Sequence, residues 1–308
     1  MRDPVEPILP PELVARLARF RLANQHRVQG RYAGVHRSRR LGSSLDFADE
    51  REYVPGDDPR SVDLNASRRL GRLLVKLYEA EDEAAVRVVL DLSASMGFGA
   101  KELVARQVAA AFAALAAGGQ DRVRVLLVGG VAADAERPAT VDAGPWFRGP
   151  TTLAAVEHRL RLQSAPSADD DAPPGRAHLA AALRQAHGEG PRGPVVLVSD
   201  LLFDGWEGTL RTLAAGRGDG LLVHVLGRED LDPTVRGDLR LVDAETGTTV
   251  EVGIDESTLD AYARARDAWL ADVTATCGAL GLAYARTTDD TDVADLLLTD
   301  LRGLGVVV

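Results

Sequence analysis

Oxygen-bearing side chains follow two apolar runs of the chain, at the point where each run ends. The run 86–90 is followed by Asp91, Ser93 and Ser95 in "DLSASMGFG", and a second run, "PVVLVSD", ends in Asp200. Carboxylate and hydroxyl oxygens are hard ligands, so a set without His or Cys suits Mg²⁺ or Mn²⁺. The residue types and their spacing therefore predict a divalent-metal site formed by Asp91, Ser93, Ser95 and Asp200.

The elements that must position these residues are visible from residue 86 onward. Short apolar runs alternate with helical patterns, which is typical of βα units around a parallel sheet, and near-continuous Val and Leu indicate strands covered on both faces. The fold class is therefore predicted to be α/β, with a doubly wound, mostly parallel sheet. The predicted strands are 86–91, 122–128, 194–200, 220–227 and 281–287, and the predicted helices are 101–118, 178–190 and 259–281.

The position of the site within such a sheet can also be predicted. Ligands of an open parallel sheet bind beyond the carboxyl ends of the strands, where the strand order reverses. If the strands that end in Asp91 and Asp200 are neighbours at that reversal, the four predicted ligands converge on one crevice.

The first 80 residues follow a different pattern. A predicted helix over 11–22 precedes a Gly- and Arg-rich tract, the turn "PGDDP" and an extended run at 72–79. The chain is therefore predicted to consist of an N-terminal segment, 1–81, and a main domain, 82–308. Within the main domain, "LRLVDAETGTTVEVG" (239–253) predicts a β-hairpin that turns around Glu245, Thr246 and Gly247.

Charge and composition limit the classes of function. The net charge is −10 over 308 residues, and it divides into +4 for residues 1–80 and −14 for residues 81–308. Such an acidic body disfavours nucleic-acid binding. Cys277 is alone in the chain and is interpreted as a core residue. Without a targeting pattern or an apolar run of about 18 residues, we expect a cytoplasmic protein that does not insert into membranes.

Two segments carry a resemblance to known families. "DLSASM" resembles the Asp-x-Ser-x-Ser metal-ion-dependent adhesion site of von Willebrand factor A domains, and Asp200 matches their distal aspartate. Residues 30–81 resemble the segment that precedes such a domain in the bacterial DUF58 family, so that the resemblance covers roughly residues 30–302. It implies a Rossmann-like von Willebrand factor A fold, a bound Mg²⁺ or Mn²⁺, and a protein partner. A MoxR-type AAA+ ATPase is the candidate partner, because the two families share gene neighbourhoods.

Two positions depart from the pattern of these families. Ala177 stands where a threonine hydroxyl usually joins the metal site, so a water must replace that ligand or the metal is bound more weakly. Thr151 and Thr152 are alternative hydroxyl donors, although they lie earlier in the chain. Leu64 replaces a tryptophan of the upstream segment, which affects packing there and not the metal site.

Other interpretations of the same residues stay open. Asp91, Ser93, Ser95 and Asp200 are residue types that also cap turns and helices through hydrogen bonds to the backbone. The chain would then be a metal-free, vestigial interaction module. A phosphatase-like hydrolase is a third possibility, but Ser93 stands where such enzymes need a second carboxylate as general acid. We therefore expect a non-enzymatic adaptor. Asp204, in the same loop as Asp200, could carry either the metal-ligand or the capping role, and His178 is a peripheral candidate only.

Overall fold

The computed structural model describes residues 6–23, 47–57, 59, 62–78, 84–132, 141–166, 178–188, 190, 193–216 and 219–308. The chain divides into two compact units, one formed by residues 1–24 together with 84–308 and the other by residues 25–83. The first helix, predicted as part of the N-terminal segment, lies in the larger unit, where Leu13 and Leu17 of this helix and Leu9 before it are buried in the core.

The strands account for the predicted sheet and add several short ribbons. They are β1 (Phe47–Glu52), β2 (Leu74–Tyr78), β3 (Ala85–Asp91), β4 (Arg122–Val128), β5 (Val131–Ala132), β6 (Gln163–Ser164), β7 (Val195–Ser199), β8 (Gly220–Leu226), β9 (Gly237–Val242), β10 (Thr249–Ile254) and β11 (Ala283–Thr288). Five of them form one parallel sheet in the order β11–β8–β7–β3–β4. This order, with helices between the strands, confirms the predicted doubly wound α/β fold with a parallel sheet.

Helices cover both faces of this sheet. They are α1 (Pro11–Leu17), α2 (Leu64–Leu70), α3 (Lys101–Gly118), α4 (Thr152–Leu160), α5 (His178–Gly188), α6 (Trp206–Ala214), α7 (Arg228–Leu231), α8 (Glu256–Leu280), α9 (Val293–Asp295) and α10 (Leu301–Gly303), with a π-helical turn at Leu296–Asp300. In β3, Val88 and Leu90 pack with α1, α3 and α4, whereas Val89 packs with α5, α6 and α8. Successive residues of the strand are thus buried on opposite faces, which explains its unbroken apolar sequence.

The smaller unit contains an antiparallel ribbon and one short helix. β1 pairs with β2, and α2 begins after Asp63, whose side chain accepts hydrogen bonds from the backbone of Asn65 and Ala66. Asp57 forms a two-pronged ion pair with Arg51, with both N–O distances at 2.7 Å. Asp57 of the predicted turn and Asp63 after it therefore have structural partners, while Asp58 of the turn lies outside the described residues.

The predicted β-hairpin is confirmed as an arm formed by β9 and β10. The two strands pair in an antiparallel register in which Leu241 faces Val250. Within the described ranges, the structure contains no helix with the length and apolar character needed to cross a bilayer.

Cys277 should be unreactive in the folded protein. It lies on α8 with 1% of its surface exposed, and burial raises the pKa of its thiol to about 11. Because the thiolate is the reactive form, we expect modification by a disulfide reagent at pH 8 to be on the order of 100-fold slower than in the unfolded chain. The ratio is measured from the rate at which the reagent releases its coloured thiol, once with the folded protein and once in denaturant. Similar rates would contradict the core interpretation.

Candidate functional site

The structure places two of the predicted ligands, Asp91 and Asp200, at the carboxyl ends of two neighbouring strands, and the other two, Ser93 and Ser95, on the loop that follows Asp91. Asp91 is the last residue of β3, and Asp200 follows directly on β7, which pairs with β3 in parallel. The strand order reverses between β3 and β7, so the crevice lies where the sequence predicted it. Ser95 lies on a short 3₁₀ turn, Ala94–Gly97, that connects β3 to α3.

Asp91 is a buried carboxylate held only by neutral donors. Its Oδ2 accepts a hydrogen bond from the Ser199 hydroxyl at 2.5 Å, and its Oδ1 accepts one from the backbone N–H of Ser93 at 3.0 Å. Burial, together with the nearby charge of Asp200, raises the pKa of Asp91 to about 7, although the hydrogen bonds from Ser199 and from the backbone and side chain of Ser93 favour the ionised form. Among the described residues, Asp91 has no basic partner, so its charge is uncompensated.

The loop between β3 and α3, residues 92–100, is the motif loop. Besides Ser93, two of its backbone N–H groups donate to carboxylates from distant parts of the chain: Ser95 to Oε1 of Glu245 at 3.0 Å, and Ala100 to Oδ2 of Asp289 at 3.2 Å. The hydroxyl oxygens of Ser93 and Ser95 lie 3.2 Å apart. The motif loop therefore presents two hydroxyls and directs its backbone donors at acidic side chains.

Asp200 is neutralised by a lysine that sequence reasoning did not single out. Lys101, the first residue of α3, is 1% exposed, and its Nζ donates to Oδ2 of Asp200 and to Oδ2 of Asp230, each at 2.9 Å. Burial lowers the pKa of Lys101, but the two carboxylates outweigh that effect, and its pKa lies above the ordinary value. Lys101 therefore supplies a fixed positive charge to the Asp200 side of the crevice.

A buried histidine forms a hydrogen bond with the backbone of Asp200. The Nε2 of His224 donates to the backbone carbonyl of Asp200 at 2.9 Å, and its Nδ1 accepts from the Tyr284 hydroxyl at 3.1 Å. Burial lowers the pKa of His224 to about 4, so the ring is neutral around pH 7. It fixes the backbone at Asp200 and adds no positive charge to the crevice.

The remaining sequence candidates form none of the hydrogen bonds described above, or lie outside the described residues. Ala177 is not among the described residues, so the consequence of its missing hydroxyl stays a prediction. Thr152 begins α4 and is buried, and its hydroxyl has no hydrogen-bond partner in the described part of the chain. His178 begins α5, and Asp204 lies in the loop between β7 and α6. Within the described part of the chain, the hydrogen bonds to the side chain of Asp91 come from Ser93 and Ser199.

The donor set around Asp91 fits a hard divalent cation better than the one around Asp200 does. Asp91, Ser93 and Ser95 supply one carboxylate without a cationic partner and two neutral hydroxyls, which are suitable ligands for Mg²⁺ completed by waters. Asp200, in contrast, has Oδ2 engaged by Lys101 and Oδ1 engaged by the N–H of Leu202 at 3.2 Å. The described residues contain no group of three or more His, Cys, Asp or Glu placed to hold a metal. The predicted ligand role of all four residues stays a prediction.

Several site residues escaped sequence reasoning, and of these only Ser199 had a local signal. Ser199 immediately precedes Asp200, so the two side chains point to opposite faces of the sheet. The signal for Ser199 is a hydroxyl in an otherwise aliphatic strand. Lys101 and Glu245 reach the crevice through contacts of long sequence separation, which leave no local pattern.

Comparison with known proteins gives one family and several uncharacterised relatives. The family described as "Protein of unknown function DUF58" matches residues 49–269. Uncharacterized protein Rv1480 of Mycobacterium tuberculosis is 31% identical over 295 residues, covering 93% of this chain and 88% of the relative. Uncharacterized protein Mb1516 of Mycobacterium bovis gives the same values.

Two solved structures resemble the chain at low sequence identity. Conserved hypothetical protein BatB from Bacteroides thetaiotaomicron has a TM-score of 0.38 and 12% identity, over 72% of this chain and 98% of that protein. An aerotolerance-related membrane protein from Bacteroides fragilis has a TM-score of 0.38 and 14% identity, over 71% of this chain and 99% of that protein.

Proposed function

Because the chain belongs to the DUF58 family of proteins of unknown function, we propose a role for the crevice itself: it is the recognition site of a non-enzymatic interaction protein. The observation that carries the proposal is the carboxylate of Glu245 on the backbone N–H of Ser95, next to the buried Asp91. A motif loop that already holds one carboxylate is suited to hold a carboxylate of a partner. Recognition of an acidic side chain is therefore the activity that the geometry supports best.

A divalent cation at this site would strengthen such recognition. Asp91, Ser93 and Ser95 would hold Mg²⁺ or Mn²⁺, directly or through water, with Asp200 as a further ligand, either direct or reached through water. When bound, the ion supplies positive charge with an open coordination position. Since the hydroxyls are neutral and Lys101 already neutralises Asp200, Asp91 alone offsets part of the charge of the ion, and a net positive charge remains available to an acidic partner.

The proposed partner is a protein with an exposed Asp or Glu, and a MoxR-type AAA+ ATPase is the first candidate. That choice rests on the family resemblance. The proposal is non-enzymatic because Ser93 provides no second carboxylate for acid catalysis. The cavity beside Asp230 has a volume of about 180 Å³, whereas small-molecule sites typically enclose roughly 300–1,000 Å³. A larger cavity of about 550 Å³ is lined by residues of α8, β11 and the C-terminal turns and by none of the four predicted ligands. The small volume beside Asp230 favours a binding surface over a substrate pocket at the motif loop.

Calorimetric titration of Mg²⁺ and Mn²⁺ into the purified protein tests the metal site. We expect saturable binding that is lost in Asp91→Asn, which removes the charge but keeps the shape of the side chain. Asp290→Asn is the matched control, because Asp290 is an exposed carboxylate whose side chain is 53% accessible. Absence of saturable binding in the wild-type protein would contradict the metal-dependent form of the proposal.

Capture of the candidate ATPase, with and without chelator, separates the proposal from its alternatives. Loss of binding on chelation supports the metal-dependent adaptor. Binding that is insensitive to chelator favours the vestigial, metal-free module. Turnover of a generic phosphate ester that disappears in Asp91→Asn would favour the hydrolase and overturn the non-enzymatic proposal.

A further inference from the structure

The β9–β10 hairpin ends in a rigid turn that points one carboxylate at the motif loop. The side chain of Asp243 accepts hydrogen bonds from the N–H groups of Glu245 and Thr246, at 2.8 and 3.1 Å. The backbone of the turn is closed by hydrogen bonds of 2.8 Å from Asp243 to Thr248 and from Gly247 to Asp243. The φ of Gly247 is +68°, a left-handed conformation that glycine adopts at little cost. The position of Glu245 is thus fixed by the turn itself.

The tip of the hairpin is more buried than its strands, whereas the tip of an unattached hairpin would be exposed. Its strands are largely exposed, with Val242 at 52% and Val250 at 58%, yet Ala244 and Glu245 at the tip are partly buried. A lone two-stranded hairpin is at best marginally stable in water. Its distal end therefore depends on the contact that Glu245 makes with Ser95.

We propose that the β9–β10 hairpin is a built-in latch, in which Glu245 occupies the place on the motif loop that the carboxylate of a partner takes. This inference rests on the proposed function of the crevice. The Oε1 of Glu245 accepts from the N–H of Ser95, the residue whose hydroxyl is a predicted metal ligand. A partner must displace Glu245, so the free protein is held in a closed state. The exposed strands leave the hairpin free to move away from the domain without breaking its own pairing.

Hydrogen exchange of the metal-free protein tests the latch independently of any metal. In Glu245→Ala, the amide of Ser95 loses its acceptor, and a hydrogen bond to a charged group corresponds to a factor of about 10 or more in opening. We expect exchange of the Ser95 amide to accelerate by about that factor. Glu251→Ala is the matched control, because it removes a carboxylate from the same hairpin at an exposed position facing Arg240. Unchanged exchange of Ser95 in Glu245→Ala would overturn the latch.

Bound Mn²⁺ provides a second readout of the place that Glu245 occupies. If its carboxylate fills a coordination position, Glu245→Ala should admit one more exchangeable water, seen as faster water-proton relaxation by bound Mn²⁺, whereas Glu251→Ala should not. If Mn²⁺ binds and the number of exchangeable waters is the same in Glu245→Ala as in the wild-type protein, Glu245 does not occupy a coordination position of the ion. If Mn²⁺ does not bind at all, the metal-dependent function fails, and the exchange experiment still decides whether the latch exists.

Discussion

Replacing Lys101 by methionine should destabilise the main domain by about 3–5 kcal/mol, the range for removal of one partner from a buried ion pair. Lys101 and Asp200 are each 1% accessible and lie 2.9 Å apart, and the same ammonium group holds Asp230. Methionine fills a similar volume but leaves the charge of Asp200 buried without compensation. Urea unfolding followed by circular dichroism measures the change, and we expect a lower midpoint with an unchanged slope.

The exposed pair Arg228–Asp290 provides the control for Lys101. It has a similar N–O distance, 3.1 Å, but side-chain accessibilities of 79% and 53%. Arg228→Met should therefore cost less than about 1 kcal/mol. In a background of Asp200→Asn, the cost of Lys101→Met should fall, because one of the two stranded charges is gone. A cost below about 1 kcal/mol in the wild-type background would mean that water already reaches these carboxylates.

The architecture was predictable because buried parallel strands leave a local signal. Continuous apolar runs place β3 and β7 within one residue of their observed bounds, and each run ends in the polar residue that begins the crevice. Their adjacency follows from the reversal of strand order in doubly wound sheets. The location of Asp91 and Asp200 at one edge could thus be inferred without coordinates.

The charge pairing in the crevice was not predictable, because its ion pairs and hydrogen bonds join residues that are far apart in the sequence. Lys101 stands at the start of an amphipathic helix, where lysine is ordinarily solvated, and its partners lie 99 and 129 residues away along the chain. Glu245 was interpreted only as part of a turn, since its contact with Ser95 spans 150 residues. Three-dimensional packing decides that Asp200 pairs with an internal lysine and Asp91 does not. A pattern along the sequence does not encode that packing.

The carboxylate left without a cation should make the metal-free protein less stable as pH rises. The folded-state pKa of Asp91 is about 7 against 3.8 in the unfolded chain, so between these values the folded state binds more protons. The stability that Asp91 contributes is then fully present below about pH 4 and is lost as pH rises through 7. Over that interval the loss is about 4 kcal/mol, from roughly 1.4 kcal/mol for each pH unit.

Asp91→Asn should therefore be more stable than the wild-type protein in chelator at pH 8, and the difference should vanish toward pH 4. The amide keeps one oxygen for the N–H of Ser93, and the Ser199 hydroxyl can turn to accept from its NH₂ group. Added Mg²⁺ should stabilise only the wild-type protein, because a ligand that binds the folded state shifts unfolding by mass action. Thermal unfolding across pH 4–8, with Glu251→Gln as the control for one lost charge, measures both effects. A wild-type protein as stable as Asp91→Asn at pH 8 in chelator would mean that Asp91 is hydrated, and the electrostatic reason for a cation at this site would disappear.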